Sequence, residues 1–224
     1  NDLDTLEFFY TTAYRSILMN GTTKTFYSKE SDTVGYYHIN MMVNSAEIAS
    51  NNLFATYFDL TKIGIKTSED LFYRAGVDNL SYIRKFQYLS QEWLSCYSSR
   101  GSIRGIFDIG LGEVLQIEAL KPFSFTFYGK LPEKYKFDVK RVDEDKSNNL
   151  YFFQPWRMDL TEAKQVFGEI EQLSYIRYWQ FKTQEWISCY ESRGSIRNSF
   201  VLRPVLMPLQ FELKMDYRGS ILWK

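Results

Sequence analysis

The sequence predicts a mainly β protein, an antiparallel sandwich with one or two short helices, on three observations. The chain of 224 residues is 18% aromatic, with 18 Phe, 17 Tyr and 5 Trp, and such side chains favour pleated, half-buried surfaces. Several stretches alternate apolar and polar residues with period two. Finally, residues 80–105, LSYIRKFQYLSQEWLSCYSSRGSIRG, return at 173–198 as LSYIRYWQFKTQEWISCYESRGSIRN, a shift of 93 with identity at 18 of 26 positions. A repeat of this length marks two copies of one structural unit. The alternative architecture is α+β, tandem repeats of a helix followed by a sheet.

The clearest strands lie in the middle of the chain. Phe123 to Phe127 and Lys134 to Lys140 both alternate, and Leu131-Pro132-Glu133 between them reads as a turn, so the two are expected to be antiparallel neighbours. Gln210 to Tyr217 alternates near the carboxyl end, and Thr33 to Asn44 reads as a longer apolar strand. The run Asp143 to Asn149 is a polar loop. It divides the chain into a β-rich segment 1–146 with the first copy and a segment 147–224 with the second, packed on the first or completing the same sandwich.

Helices have weaker signatures. Asp159-Leu160-Thr161-Glu162 has capping spacing, and Leu160, Ala163, Phe167, Ile170, Leu173 and Ile176 follow the 3.6 period. The spacing predicts a helix over 160–176. Thr67-Ser68-Glu69-Asp70 is a candidate start for another ahead of the first copy. Within the repeat beyond Tyr82 and Tyr175, strand and helix patterns both fit, and the poor helix propensity of Tyr, Trp, Ser and Cys favours strand.

Polar residues recur with the apolar ones. Arg84/Arg177, Gln87/Gln180, Gln91/Gln184, Glu92/Glu185, Trp93/Trp186, Cys96/Cys189, Arg100/Arg193, Gly101/Gly194 and Arg104/Arg197 agree between copies. They form either a ligand site used twice or a structural motif in which Arg and Glu pair and Arg-Gly-Ser makes a turn with glycine at positive φ. The two Trp-Cys pairs are expected to be buried in similar settings, with both thiols reduced.

Catalytic and cofactor signatures are missing from the sequence. The single histidine, His38, sits in an apolar alternating stretch and reads as a packed residue. One His and two separated Cys do not make a tetrahedral zinc site. Gly110-Leu111-Gly112 lacks the lysine and helix of a phosphate loop, and Glu144 and Asp145 lie in the polar loop. The expectation is a non-enzyme without a cofactor. Net charge is zero, with 27 basic and 27 acidic residues, which argues against a surface that grips phosphate everywhere. No apolar run reaches membrane-spanning length. The polar start without Met reads as a product cut from a longer precursor or as a trimmed chain.

Two groups of residues carry a family resemblance. Phe58-Asp59-Leu60-Thr61, then Leu94-Ser95-Cys96 and Gly101-Ser102-Ile103-Arg104-Gly105, resemble the early strands of the jelly-roll domain in coat proteins of picorna-like plant viruses, the nepovirus and comovirus group. Phe123 to Lys130, FSFTFYGK, is similar to an element near coat-protein ends in that group, and Asp159-Leu160-Thr161 with Ile187-Ser188-Cys189 and Gly194 to Arg197 repeats the scheme. The resemblance implies a jelly-roll-like sandwich and a self-assembling capsid subunit. Its partners would be copies of itself or related capsid chains, with single-stranded RNA on the inner face, and its place the virion or host cytoplasm. Without it, the residues read as a duplicated non-catalytic binding module for carbohydrate, protein or nucleic acid, soluble and intracellular.

Overall fold

A computed structural model describes residues 5–9, 14–19, 22–27, 34–41, 43, 50–56, 59–87, 89–130, 137–141, 148–152, 159–202, 208–217 and 219–223. The protein is mainly β and antiparallel, a sandwich dominated by two five-stranded sheets built from the same parts in the same order. The first comprises β5 (Ser50–Ala55), α1 (Ser68–Ala75), β6 (Leu80–Gln87), β7 (Glu92–Ser99), β8 (Ser102–Arg104) and β9 (Val114–Ala119), with strands ordered β5-β9-β6-β7-β8. The second comprises β12 (Asn148–Phe152), α2 (Ala163–Glu169), β13 (Leu173–Gln180), β14 (Glu185–Ser192), β15 (Ser195–Arg197) and β16 (Pro208–Leu213), ordered β12-β16-β13-β14-β15.

Three smaller pairings complete the described architecture. β4 (Val34–Met41) lies between β1 (Thr5–Phe9) and β10 (Phe123–Lys130), β2 (Tyr14–Met19) pairs with β3 (Thr22–Tyr27), and β11 (Phe137–Arg141) pairs with β17 (Gly219–Trp223). The expected β10–β11 pairing is therefore corrected: the two strands lie in different sheets. Alternation marks a strand but does not name its partner, which long-range burial selects. The turn expected at 131–133 lies outside the described residues.

The duplicated unit is longer than the 26-residue segment. Asn51-Asn52-Leu53 of β5 corresponds to Asn148-Asn149-Leu150 of β12, and Leu115-Gln116 with Glu118 of β9 corresponds to Leu209-Gln210 with Glu212 of β16. Even the isolated bridges correspond, Thr67 with Asp108 and Glu162 with Val201. Each helix buries equivalent positions, Ser68 and Leu71 in one copy and Ala163 and Val166 in the other. The buried apolar side chains of both sheets join Met41, Phe125 and Phe127 in one core cluster.

Both helix starts are built as capping chemistry requires. The Thr67 hydroxyl accepts from Asp70 N while the Asp70 carboxylate accepts from Thr67 N at 2.9 Å. In the second copy Gln165 Oε1 accepts from Thr161 N and Glu162 N, each at 2.8 Å. The helix expected over 160–176, however, begins only at Ala163 with Glu162 rather than Asp159 as its cap, stops at Glu169, and Leu173–Gln180 is strand. The cause is a β-bulge: the register shifts between Leu173 and Tyr175, as it does between Leu80 and Tyr82. One extra residue lets Leu173 and Ile176 both face the core from a strand, which imitates helical spacing. The carboxyl alternation is shorter than expected as well, since β16 ends at Leu213.

Candidate functional site

Strand alternation gives each five-stranded sheet two chemically distinct faces. Ile83, Cys96 and Ile117 occupy the core face, as do Ile176, Cys189 and Phe211, and all six are fully buried. On the opposite face lie Tyr82, Arg84 and Phe86 of β6, Trp93, Ser95 and Tyr97 of β7, Arg104 of β8, and Gln116 and Glu118 of β9. Tyr175, Arg177, Trp179, Trp186, Ser188, Tyr190, Arg197, Gln210 and Glu212 take the same places in the second sheet. Of these nine paired positions only Phe86 and Trp179 differ; farther along the same face Val114 corresponds to Pro208 and Ala55 to Phe152. On the other face the buried Leu80, Ile83, Cys96 and Leu115 are matched by identical Leu173, Ile176, Cys189 and Leu209, while Ile117 is replaced by Phe211 and the half-buried Leu94 by Ile187. Lys85 against Tyr178 and Ser98 against Glu191 differ at partly or fully exposed positions.

Part of this preservation follows from how the copies are joined. Asn51 sits on β5 and Asn148 on β12, each strand lying at the end of its sheet. Asn51 N donates to Gln184 Oε1 at 2.8 Å and Gln184 Nε2 donates back to Asn51 O at 3.3 Å. Reciprocally, Asn148 N donates to Gln91 Oε1 and Gln91 Nε2 donates to Asn148 O, both at 2.9 Å. Each amide side chain thus satisfies the open edge of the other copy's terminal strand, as a neighbouring strand would. Gln91 and Gln184 adopt φ of 60° and 55°, a left-handed conformation uncommon outside glycine and asparagine. Tyr82 Oη donates to Asn51 Oδ1 and Tyr175 Oη to Asn148 Oδ1, each at 2.6 Å. The joint is isologous, the arrangement of a symmetric dimer held within one chain.

Arg84 and Arg177 lie beside this joint. Arg84 stacks 3.8 Å from the centre of the Tyr82 ring and donates through Nε to Ser95 Oγ. Arg177 lies over Tyr175 and Trp186 and donates through Nε to Gln210 Oε1. Neither pairs with Glu92 or Glu185, which are exposed on the other face. Burial raises the pKa of both tyrosines, and nearby Glu118 and Glu212 add to the rise. Gln87 and Gln180 sit at the turns before β7 and β14, where Ser90 and Thr183 donate to their side chains.

The tryptophan expectation needs correction. Trp93 and Trp186 are half-buried rather than buried, packed edge-on against Phe86 and Trp179 at 5.4 and 5.5 Å. Three residues along a strand reverse the face, so each Trp looks away from the core that holds its Cys. Both thiols are free and fully buried. Desolvation pushes the Cys96 thiol up, against a hydrogen bond with Ser68, and pushes Cys189 up to about 11.

At the far ends of β7 and β14 from the joint lie the hairpin tips. Arg100 and Gly101 have φ of 51° and 76°, and Arg193 and Gly194 have 51° and 71°, so each two-residue loop has the positive dihedrals of a type I′ turn. The Arg-Gly-Ser turn read from the sequence is present in both copies. Arg100, Arg104, Arg193 and Arg197 are exposed, and among the described residues no ion pair or hydrogen bond engages their side chains. Tyr97 and Tyr190, opposite Arg104 and Arg197 in the register, are 44% and 39% exposed.

The side chain of His38 and residues 144 and 145 lie outside the described residues. Among the described ones, no group of three or more His, Cys, Asp and Glu is arranged to hold a metal ion, and no helix is long and apolar enough to cross a membrane. Sequence reasoning missed Asn51 and placed Asn148 and Asn149 in the polar loop, whereas they open β12; the signal was the Asn-Asn-Leu recurrence ahead of each helix. Comparison with protein-family models, curated proteins and solved structures finds no match.

Proposed function

We propose that the protein is a duplicated, non-catalytic binding module that presents one polar-aromatic surface twice. The observation that carries this reading is that the outward, solvent-facing residues are kept as closely as the core. Drift after duplication normally spares the core and changes the surface, yet here the half-exposed and exposed Trp93, Ser95, Tyr97, Arg100 and Arg104 have identical counterparts, just as the buried Ile83 and Cys96 do. The reciprocal joint accounts for Gln91, Asn51 and Tyr82; it does not account for the exposed Tyr and Arg positions. Aromatic and guanidinium groups that are half-exposed and held by neighbours are suited to recognition.

A second reading is the self-assembling coat subunit, favoured by apolar side chains left in solvent: Tyr73 and Leu89 are 61% exposed, Val201 66% and Met215 72%. Contacts between identical chains would cover them. Sedimentation velocity combined with binding to immobilised single-stranded oligonucleotides, acidic peptides and oligosaccharides separates the readings. The module reading expects a small defined species that retains one of these classes. Large closed particles support the coat subunit, and a small species that binds none of the classes refutes the module.

A further inference from the structure

We infer that the two hairpin tips, Tyr97 with Arg100 and Arg104, and Tyr190 with Arg193 and Arg197, are twin binding sites for single-stranded nucleic acid. This inference rests on the module reading and assigns its ligand. A non-glycine residue in the left-handed region is strained, and type I′ turns select Asn, Asp or Gly at their first central position. The chain nevertheless places Arg there in both copies. A residue that fits its backbone poorly, kept twice at an exposed tip with no side-chain partner among the described residues, is explained by what it meets outside.

Local charge and chemistry give the ligand class. Although the whole chain is neutral, the first hairpin, Tyr97 to Gly105, has two arginines, three serines and no carboxylate. In the second, the only acid, Glu191, is held by Lys214 at 2.7 Å. Each tip is therefore a small cationic spot with hydroxyl groups around it, suited to phosphate oxygens. Beside each, a half-exposed tyrosine stands across the strand pair from an arginine, a surface on which an unpaired base stacks while the guanidinium meets the backbone. Two such spots give the chain two sites of one chemistry.

The test uses the intact chain and a fluorescein-labelled oligothymidine of about 25 nucleotides, longer than the roughly 4 to 16 nucleotides a single-strand-binding surface covers. Fluorescence anisotropy should show binding that weakens as salt rises. Arg100→Gly with Arg193→Gly suits the positive φ, so the variant should unfold at or above the wild-type temperature yet bind about tenfold or more weakly. Arg100→Gly alone should fall between, and Tyr97→Ser with Tyr190→Ser should also weaken binding. No binding by the wild-type chain, or unchanged binding by the double glycine variant, overturns the assignment. Binding of a Glu-rich peptide through the same arginines, without oligonucleotide binding, overturns the nucleic-acid assignment and leaves the module reading standing. Failure to bind any ligand class refutes both.

Discussion

Gln184 and Asn51, 133 residues apart in sequence, are joined by a two-way amide pair in which the side chain closes the backbone edge of β5. Gln91 does the same for Asn148 on β12. Two hydrogen bonds contribute about 1 to 3 kcal/mol net, and their loss leaves the partner's backbone groups unmatched. Gln184→Ala should lower stability by about that amount in urea denaturation followed by Trp fluorescence. Gln91→Gly removes the same contacts but relieves a φ of 60°, so its loss should be smaller than that of Gln91→Ala.

The thiols provide a pH test. Desolvation raises the pKa of both, Cys189 to about 11, above the roughly 8.5 of an unfolded thiol. A group raised in the folded state contributes stability that is fully present below the unfolded value and is lost as pH rises through the folded one. Urea stability should therefore decline between about pH 8.5 and 11, with Tyr82 and Tyr175 steepening the upper part because their pKa values are also raised. Cys189→Ala should flatten the lower part of that decline. At pH 8 in native buffer, a thiol reagent should label neither cysteine until urea is added.

The α1 cap has the opposite pH sign. Backbone hydrogen bonds from Lys66 and Thr67 hold the Asp70 carboxyl below its ordinary pKa. Its contribution is present at neutral pH and is lost as the solution is acidified below about pH 4, through the depressed folded value. Thr67→Ala should cost about 1 kcal/mol at pH 7. Thermal unfolding of the variant and the parent at pH 7 and pH 3 checks both statements.

Gly105 tests how far the copies are interchangeable. It has φ of 68°, and a Cβ added there would overlap the Ser95 carbonyl oxygen. The second copy places Asn198 at the corresponding position with φ of 55°. Gly105→Asn, although borrowed from the sister copy, should destabilise by about 1 kcal/mol or more, since the strand behind it must shift. Asn198→Gly should change the unfolding temperature little, as glycine suits the same conformation.

The sequence by itself determined the antiparallel β character, the duplication, the Arg-Gly turns and the helix start at Thr67. All of these rest on short-range rules: alternation of faces, preferred dihedrals at turns, and capping residues three positions apart. The length of the second helix was not legible, because a bulge before Tyr175 sets Leu173 and Ile176 on one face three residues apart and so copies the helical period. Nor was the burial of Trp93 and Trp186, because the same sheet that hides Cys96 and Cys189 turns the indoles to the other side. Partners across the chain were decided only by the tertiary structure: β11 with β17 rather than with β10, and Gln91 and Gln184 with the far copy's asparagine. A strand's own residues specify which face is apolar, but its open backbone edge accepts any partner that packing brings within reach, and that choice depends on residues 57 to 133 positions away.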